Sequence, residues 1–219
     1  IEIIIIDDAS TDNSKEILEK YKKNKNIAII YNKKKKGLVR TANIAIKASN
    51  GDFFLRLDAD DYLHSNAIKI MYQKIKKHPD VALVFCDFYN FNDGSKKFSR
   101  YSYKTKKNFD IQDNPAHGAC SSISKKIFKK IGCYNNEWDR QDGYYIWLAF
   151  LLNNYRITHC KKPLFFYRKH NNNLSSDFVK IIKTKLEILN FFSKIKPSYK
   201  KLFVNNKKKT ITELNGINK

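Results

Sequence analysis

Ile1-Glu2-Ile3-Ile4-Ile5-Ile6-Asp7-Asp8 opens the sequence. A run of isoleucines, unbroken from Ile3 to Ile6 and ending in two acids, predicts a parallel strand buried on both faces. Chain ends are usually polar and frayed. A start inside such a strand therefore predicts further sequence upstream of Ile1. Outward from this stretch, apolar runs alternate with amphipathic ones. Strands are expected at Ile27–Tyr31, Asp52–Leu57 and Val81–Phe88. Helices are expected at Asp12–Lys23, Leu38–Ala48 and His64–Lys77, the last closed by His78-Pro79. Further on, Ser124–Ile131 and Gly143–Asn153 read as helices, and Arg156–Cys160 and Leu164–Arg168 as short strands. The polar, aromatic stretch Asn90–Pro115 carries no clear period. Strands alternating with helices predict an α/β fold with a mostly parallel central sheet flanked by helices. We divide the chain into a catalytic domain, residues 1–178, and a basic helical C-terminal extension, residues 179–219. In the extension, Val179, Ile182, Leu186 and Leu189 share one face of a helix over Asp177–Phe192.

Composition narrows the class. The 219 residues are 42% hydrophobic and 14% aromatic, which excludes a wholly disordered chain. Gly143 to Leu152 is the longest uncharged apolar stretch, too short for the roughly 20 residues that span a bilayer. Cys86, Cys120, Cys133 and Cys160 form no C-x-x-C pair, so reduced thiols in a cytoplasmic protein are expected. Lys and Arg number 43 against 21 acids, a net charge of +22. Only six of the cations are Arg. Nucleic-acid readers favour Arg for bidentate contacts, and Lys, Asn and Ile enrichment is what an AT-rich genome produces. No nucleic-acid partner is expected.

The acids are the chemical signal. Ligands bind at the carboxyl ends of strands in such sheets, and two expected strands end in acids there. Asp58 and Asp60, spaced i, i+2, can converge on one hard cation such as Mg²⁺ or Mn²⁺, leaving positions for a diphosphate. A turn explains the same residues equally simply, and Asp61 reads as a helix cap. Asp8 would face the crevice, within reach of a nucleobase or ribose, or else serve as a turn acid. Asp142 stands just before an uncharged helix, where a carboxylate also suits the helix dipole. Trp147 reads as core, whereas Trp138 lies in a polar loop, where it could meet a ligand.

Taken together, these segments resemble family 2 glycosyltransferases of the GT-A fold. Asp7-Asp8-Ala9-Ser10-Thr11-Asp12 is similar to the family's D-D-G-S-T-D, with Ala9 in place of glycine. Asn32, Gly37-Leu38 and Arg40-Thr41-Ala42-Asn43 follow as its N-x-G…A-x-N. Gly51 to Asp61 resembles G-x-y-i-x-x-L-D-A-D-D. Gly118–Ser124 with Ile131-Gly132-Cys133-Tyr134 looks like the acceptor-side stretch, Arg140–Leu148 like the segment of the catalytic base, and Tyr167-Arg168-Lys169-His170 like YR-x-H. The match runs in order from Ile1 to Ser176. The family's first strand, with its P-x-Y-N-like donor motif, is absent, which fits N-terminal truncation.

The resemblance implies an inverting transferase that moves a sugar from a nucleotide-diphosphate sugar, a UDP-sugar first, to a hydroxyl of a glycan or lipid-linked acceptor. It implies that Asp8, supported by Asp7, contacts the base. Arg40, Asp58, Ala59, Asp60, Arg168 and His170 would line the donor. Asp60 and Asp58 would hold Mn²⁺ or Mg²⁺, and Asp142 would be the general base. Trp138, His117 and Gln141 are the acceptor-side expectations. A cytoplasmic enzyme whose basic tail could rest on the inner face of an anionic membrane follows. The alternatives are a nucleotidyltransferase, or a basic module for membranes or nucleic acid.

Overall fold

The computed structural model describes residues 1–92, 98–103, 118–171 and 173–217. Two sheets carry the fold. β1 (Ile3–Asp7) and β2 (Ile27–Tyr31) pair in parallel, Ile3 against Ile27 through Asp7 against Tyr31. The second sheet runs β3 (Phe53–Leu55), β7 (Ser122–Ser124), β5 (Val81–Asn92), β8 (Arg156–Lys169), β4 (Tyr62–Leu63), with β6 (Ser99–Tyr101) on β5. β5 and β8 are parallel, and the other pairs of this sheet are antiparallel. The architecture is α/β as expected, with a more mixed sheet. The two short strands expected at 156–168 are one long strand. It bulges where Cys86 faces Cys160 and Asp87 faces Pro163, leaving Lys161 and Lys162 without partners on β5. Proline lacks a ladder donor and is tolerated at such a bulge.

The isoleucine run is not buried on both faces: Ile3 is 48% exposed, and β1 has a ladder partner on one side only among the described residues. Glu2 ties β1 to the turn before β3, its carboxylate accepting from the backbone N–H groups of Asn50 and Gly51 at 2.5 and 2.7 Å. The helix expected over Asp12–Lys23 is a six-residue α1 (Ser14–Glu19), and the residues after it form turns. α2 (Leu38–Ala48) is as expected and buries Val39, Ala42 and Ile46. α3 (Ala67–Lys77) starts later than expected, behind the short β4.

α4 (Lys125–Lys130) and α5 (Asp142–Leu151) follow, and α5 is buried on nearly all sides, with Trp147 fully enclosed. α6 (Phe178–Ile195) packs Ile188, Leu189 and Phe192 into the same core as α5. α7 (Lys200–Ile217) adds Phe203 to that core and buries Asn206 and Thr210, whose side chains bond to the carbonyls four residues back. These polar inward positions hide the helix from a hydrophobic-period reading. The four cysteines are free thiols, with Cys86 and Cys120 Sγ atoms 3.5 Å apart. No helix among the described residues is long and apolar enough to cross a membrane.

Candidate active site

β3 ends at Leu55, and the chain from Arg56 to Asp61 links it to β4. Arg56 joins two acids. Its Nε is 2.9 Å from Asp58 Oδ1, its Nη2 donates to Asp58 Oδ2 at 3.2 Å, and its Nη1 donates to Asp142 Oδ2 at 2.5 Å. The Arg56 and Asp142 side chains are only 12% and 10% exposed. Burial works against the guanidinium charge, but Asp142 and then Asp58 outweigh it and hold Arg56 charged. Asp58 is pushed above the usual carboxylate range by burial, and Asp142 and Asp60 add to the shift against the pull of Arg56. Two acids that would repel one another are thus held by one fork of donors.

Gly118 completes this wall. A Cβ there would overlap the Asp142 carboxylate and stand 2.8 Å from Arg56 Nη2. Two residues on, the Cys120 N–H donates to the Arg56 carbonyl at 2.9 Å, so the 118–120 turn is pinned to the strand end. Asp142 is the first residue of α5, behind Gln141 in left-handed backbone, φ 57°.

Asp60 is more open, 37% exposed. His170 Nε2 lies 2.8 Å from Asp60 Oδ2, and Asn173 Nδ2 donates to the same oxygen at 3.4 Å. Arg168 donates through Nε to the Asp60 carbonyl at 2.8 Å, and its guanidinium lies over the Phe91 ring, 5.2 Å from the centroid. Asp61 does not cap a helix. Its Oδ1 accepts from the Arg168 backbone N–H at 2.8 Å, and burial raises its carboxyl to about 7. The D-x-D turn is therefore tied to the end of β8, and Asp58, Asp60, Asp142, Arg168 and His170 share one place. Ala59 is the small link between the two aspartates.

Asp8 and Arg40 form a second group beside the N-terminus of α2. Asp8 accepts from Asn32 Nδ2 at 2.7 Å and from the backbone N–H groups of Lys36 and Gly37 at 2.9 and 2.8 Å. Burial raises the carboxyl, and these donors outweigh it, so it stays below its ordinary range. Asp8 thus fixes the lysine loop in front of α2. Asp7 is buried and accepts from the Ser10 N–H at 3.2 Å. Arg40 is exposed and borders a cavity of about 590 Å³ that Lys36, Trp138, Lys180 and Lys183 also line.

On the acceptor side, Trp138 is a correction: it is buried to 9% exposure, with its ring 5.6 Å from Tyr145 and 5.4 Å from Phe191. An edge borders both the cavity and a narrow cleft lined by Val39, Tyr134, Arg140 and Asp142. Gln141 stands in the chain between Arg140 and Asp142, which line that cleft, and does not itself line it. His117 lies outside the described residues. Sequence reading quoted Asn32, Arg56 and Gly118 within motifs without giving them a site role, and missed Asn173. For Arg56 one signal was present: a cation inside an otherwise apolar strand, two residues before an acid.

Among the described residues, no three His, Cys, Asp or Glu side chains gather as a metal site. The donor set still fits a hard divalent cation that takes most of its ligands elsewhere. The Asp60 carboxylate and the His170 imidazole converge at a half-open place. Asp58, forked to Arg56, fits a direct ligand less well.

The glycosyl transferase family 2 model matches residues 1–132, and the chain belongs to that family. Glycosyltransferase GlyG of Streptococcus pneumoniae is 31% identical over 114 residues, which cover 52% of this chain and 37% of the relative. An uncharacterized glycosyltransferase of Methanocaldococcus jannaschii is 25% identical over 175 residues, 77% of this chain and 60% of that one. The chain thus spans 37% and 60% of these two relatives. The crystal structure of S. aureus TarS 1–349 in complex with UDP-GlcNAc has a TM-score of 0.68 at 19% identity, covering 86% of this chain and 57% of that one. That likeness establishes a GT-A-type fold.

Proposed function

We propose that the chain is the catalytic part of an inverting, metal-assisted glycosyltransferase that uses a UDP-sugar. The observation that carries this reading is the convergence of Asp58, Asp60, Asp142, Arg168 and His170 from three separate stretches of sequence. Asp8 and the α2 loop flank the nucleotide end. Asp60 and His170 would hold Mn²⁺ or Mg²⁺, whose contribution is to offset charge on the departing diphosphate. Arg168 adds a fixed cation beside it. Asp142 takes the proton from the acceptor hydroxyl, and the oxygen attacks the anomeric carbon from the face opposite the leaving group. The sugar is a hexose or N-acetylhexosamine, by likeness to TarS, which is a poly(ribitol-phosphate) β-N-acetylglucosaminyltransferase. The acceptor is a glycan or a lipid-linked glycan, as in the making of a cell-surface polysaccharide.

We place the reaction at the cytoplasmic face of an anionic membrane. Lys201 and Lys208 are exposed on α7, with Val204 at 41% and Ile211 at 46% exposure beside them. Lys201→Glu with Lys208→Glu should weaken sedimentation with anionic liposomes, and unchanged sedimentation would remove the membrane from the proposal. Point changes suit this test, since deleting the tail would take Phe203 out of the core.

The transferase reading is tested by incubating the full-length protein with UDP-, GDP- and dTDP-sugars and measuring released nucleoside diphosphate. Release from one UDP-sugar, dependent on Mn²⁺ or Mg²⁺, is expected. No release from any of them, with and without glycan acceptors, would count against it.

A further inference from the structure

Arg56 is assigned no role by family membership or by the proposed chemistry, yet its side chain is only 12% exposed and stands between two acids, Asp58 and Asp142. We infer that Arg56 is a positioning residue that fixes the Asp142 carboxylate for proton transfer. This rests on Asp142 being the base. Asp142 accepts from one guanidinium nitrogen while the other two nitrogens face Asp58. A planar fork held on one side by Asp58 can point Nη1 in only one direction. The α5 N-terminus supplies the Asp142 backbone, but the side chain needs a second anchor. Gly118 leaves room for that contact and no more, since a Cβ would overlap the carboxylate. Misplacing a reacting group by about 1 Å can cost about 10²-fold in rate.

A purely structural ion pair predicts something different. If Arg56 only held Asp58 and its turn in place, its loss would slow catalysis by the same factor whatever stands at 142. Acting through Asp142, its loss should matter only while that carboxylate is present. The test is a double-mutant cycle on the full-length protein, with release of UDP from the best UDP-sugar as readout. Arg56→Met should lower kcat about 10²-fold, and Arg56→Lys should recover part of it. In an Asp142→Asn background the same Arg56→Met change should cost less than threefold. An equal loss in both backgrounds would overturn the inference. Wild-type turnover in Asp142→Asn alone would instead remove the base assignment, and the inference with it. Crystal structures of Arg56→Met and Arg56→Lys give an outcome that does not depend on turnover. The Asp142 carboxylate should leave its place beside Gly118 in the Met variant and keep it in the Lys variant. A carboxylate that stays put in both would overturn the role.

Discussion

Two carboxylate–imidazole pairs in this molecule look alike and sit in opposite surroundings. Asp60 and His170 meet at 2.8 Å, and so do Asp87 and His159. Each pair has an arginine close by, Arg168 in one case and Arg100 in the other. The Asp60 and His170 side chains are 37% and 31% exposed, while those of Asp87 and His159 are both 2% exposed. Asp87 sits inside the β5–β8 sheet, with Arg100 and the Tyr103 N–H on its remaining lone pairs and the His159 ring stacked on Phe85 at 4.6 Å. No ligand can approach it. Residue type alone therefore does not make a site. What separates the two is the place of the acid: Asp60 on a turn after a strand, Asp87 within a strand.

Substitutions can sharpen this contrast. The largest effect is expected at Asp142. Asp142→Asn should cost about 10²- to 10⁴-fold in sugar transfer, the usual contribution of a positioned base. UDP affinity by calorimetry should hardly change. Asp87→Asn should do the reverse, destabilising by up to about 3 kcal/mol because it takes the carboxylate acceptor from Arg100 Nη2 and the Tyr103 N–H, with kcat per folded molecule unchanged. Urea denaturation with activity measured in parallel separates the two.

Asp87 also sets a pH response. Burial raises its carboxyl, but Arg100 and His159 outweigh it, so the folded pKa lies below the unfolded value of about 3.9. Its stabilisation is therefore present above about pH 4 and is lost as pH falls through the lower folded value. The Asp87→Asn variant should lack that part of the acid sensitivity in thermal melts between pH 5 and 2. Next in size is His170→Ala, which should weaken metal-dependent nucleotide binding about 10- to 100-fold, as loss of a metal-site partner does. The smallest effect is expected at Asp8. Asp8→Asn should cost about 1–2 kcal/mol of stability, from lost charge-assisted bonds to the Lys36 and Gly37 N–H groups.

The same contrast explains what could be read from the sequence. The acids at strand ends, the order of the segments and the α2 helix were legible, because local period and the Asp-rich turns specify them. The burial of Ile3 was not, since exposure depends on which strands lie alongside and no single strand encodes that. Trp138 looked like a loop residue because its neighbours are polar, yet tertiary contacts with Tyr145 and Phe191 bury it. Asp61 read as a cap because a helix pattern follows. The structure places β4 between them and gives the carboxylate to the Arg168 N–H. Arg56 and Gly118 are visible as a pair only in space, since 62 residues separate them.

The most direct measurement is the thermal stability of the full-length protein with UDP, GDP and dTDP, with and without Mn²⁺, beside Asp60→Asn. At a concentration near 100 Kd, a bound nucleotide should add about 2.7 kcal/mol of stability. UDP with Mn²⁺ should do this for the wild-type protein, and the gain should vanish in Asp60→Asn. An equal gain in the variant, or none with any nucleotide, would contradict a donor site at Asp60.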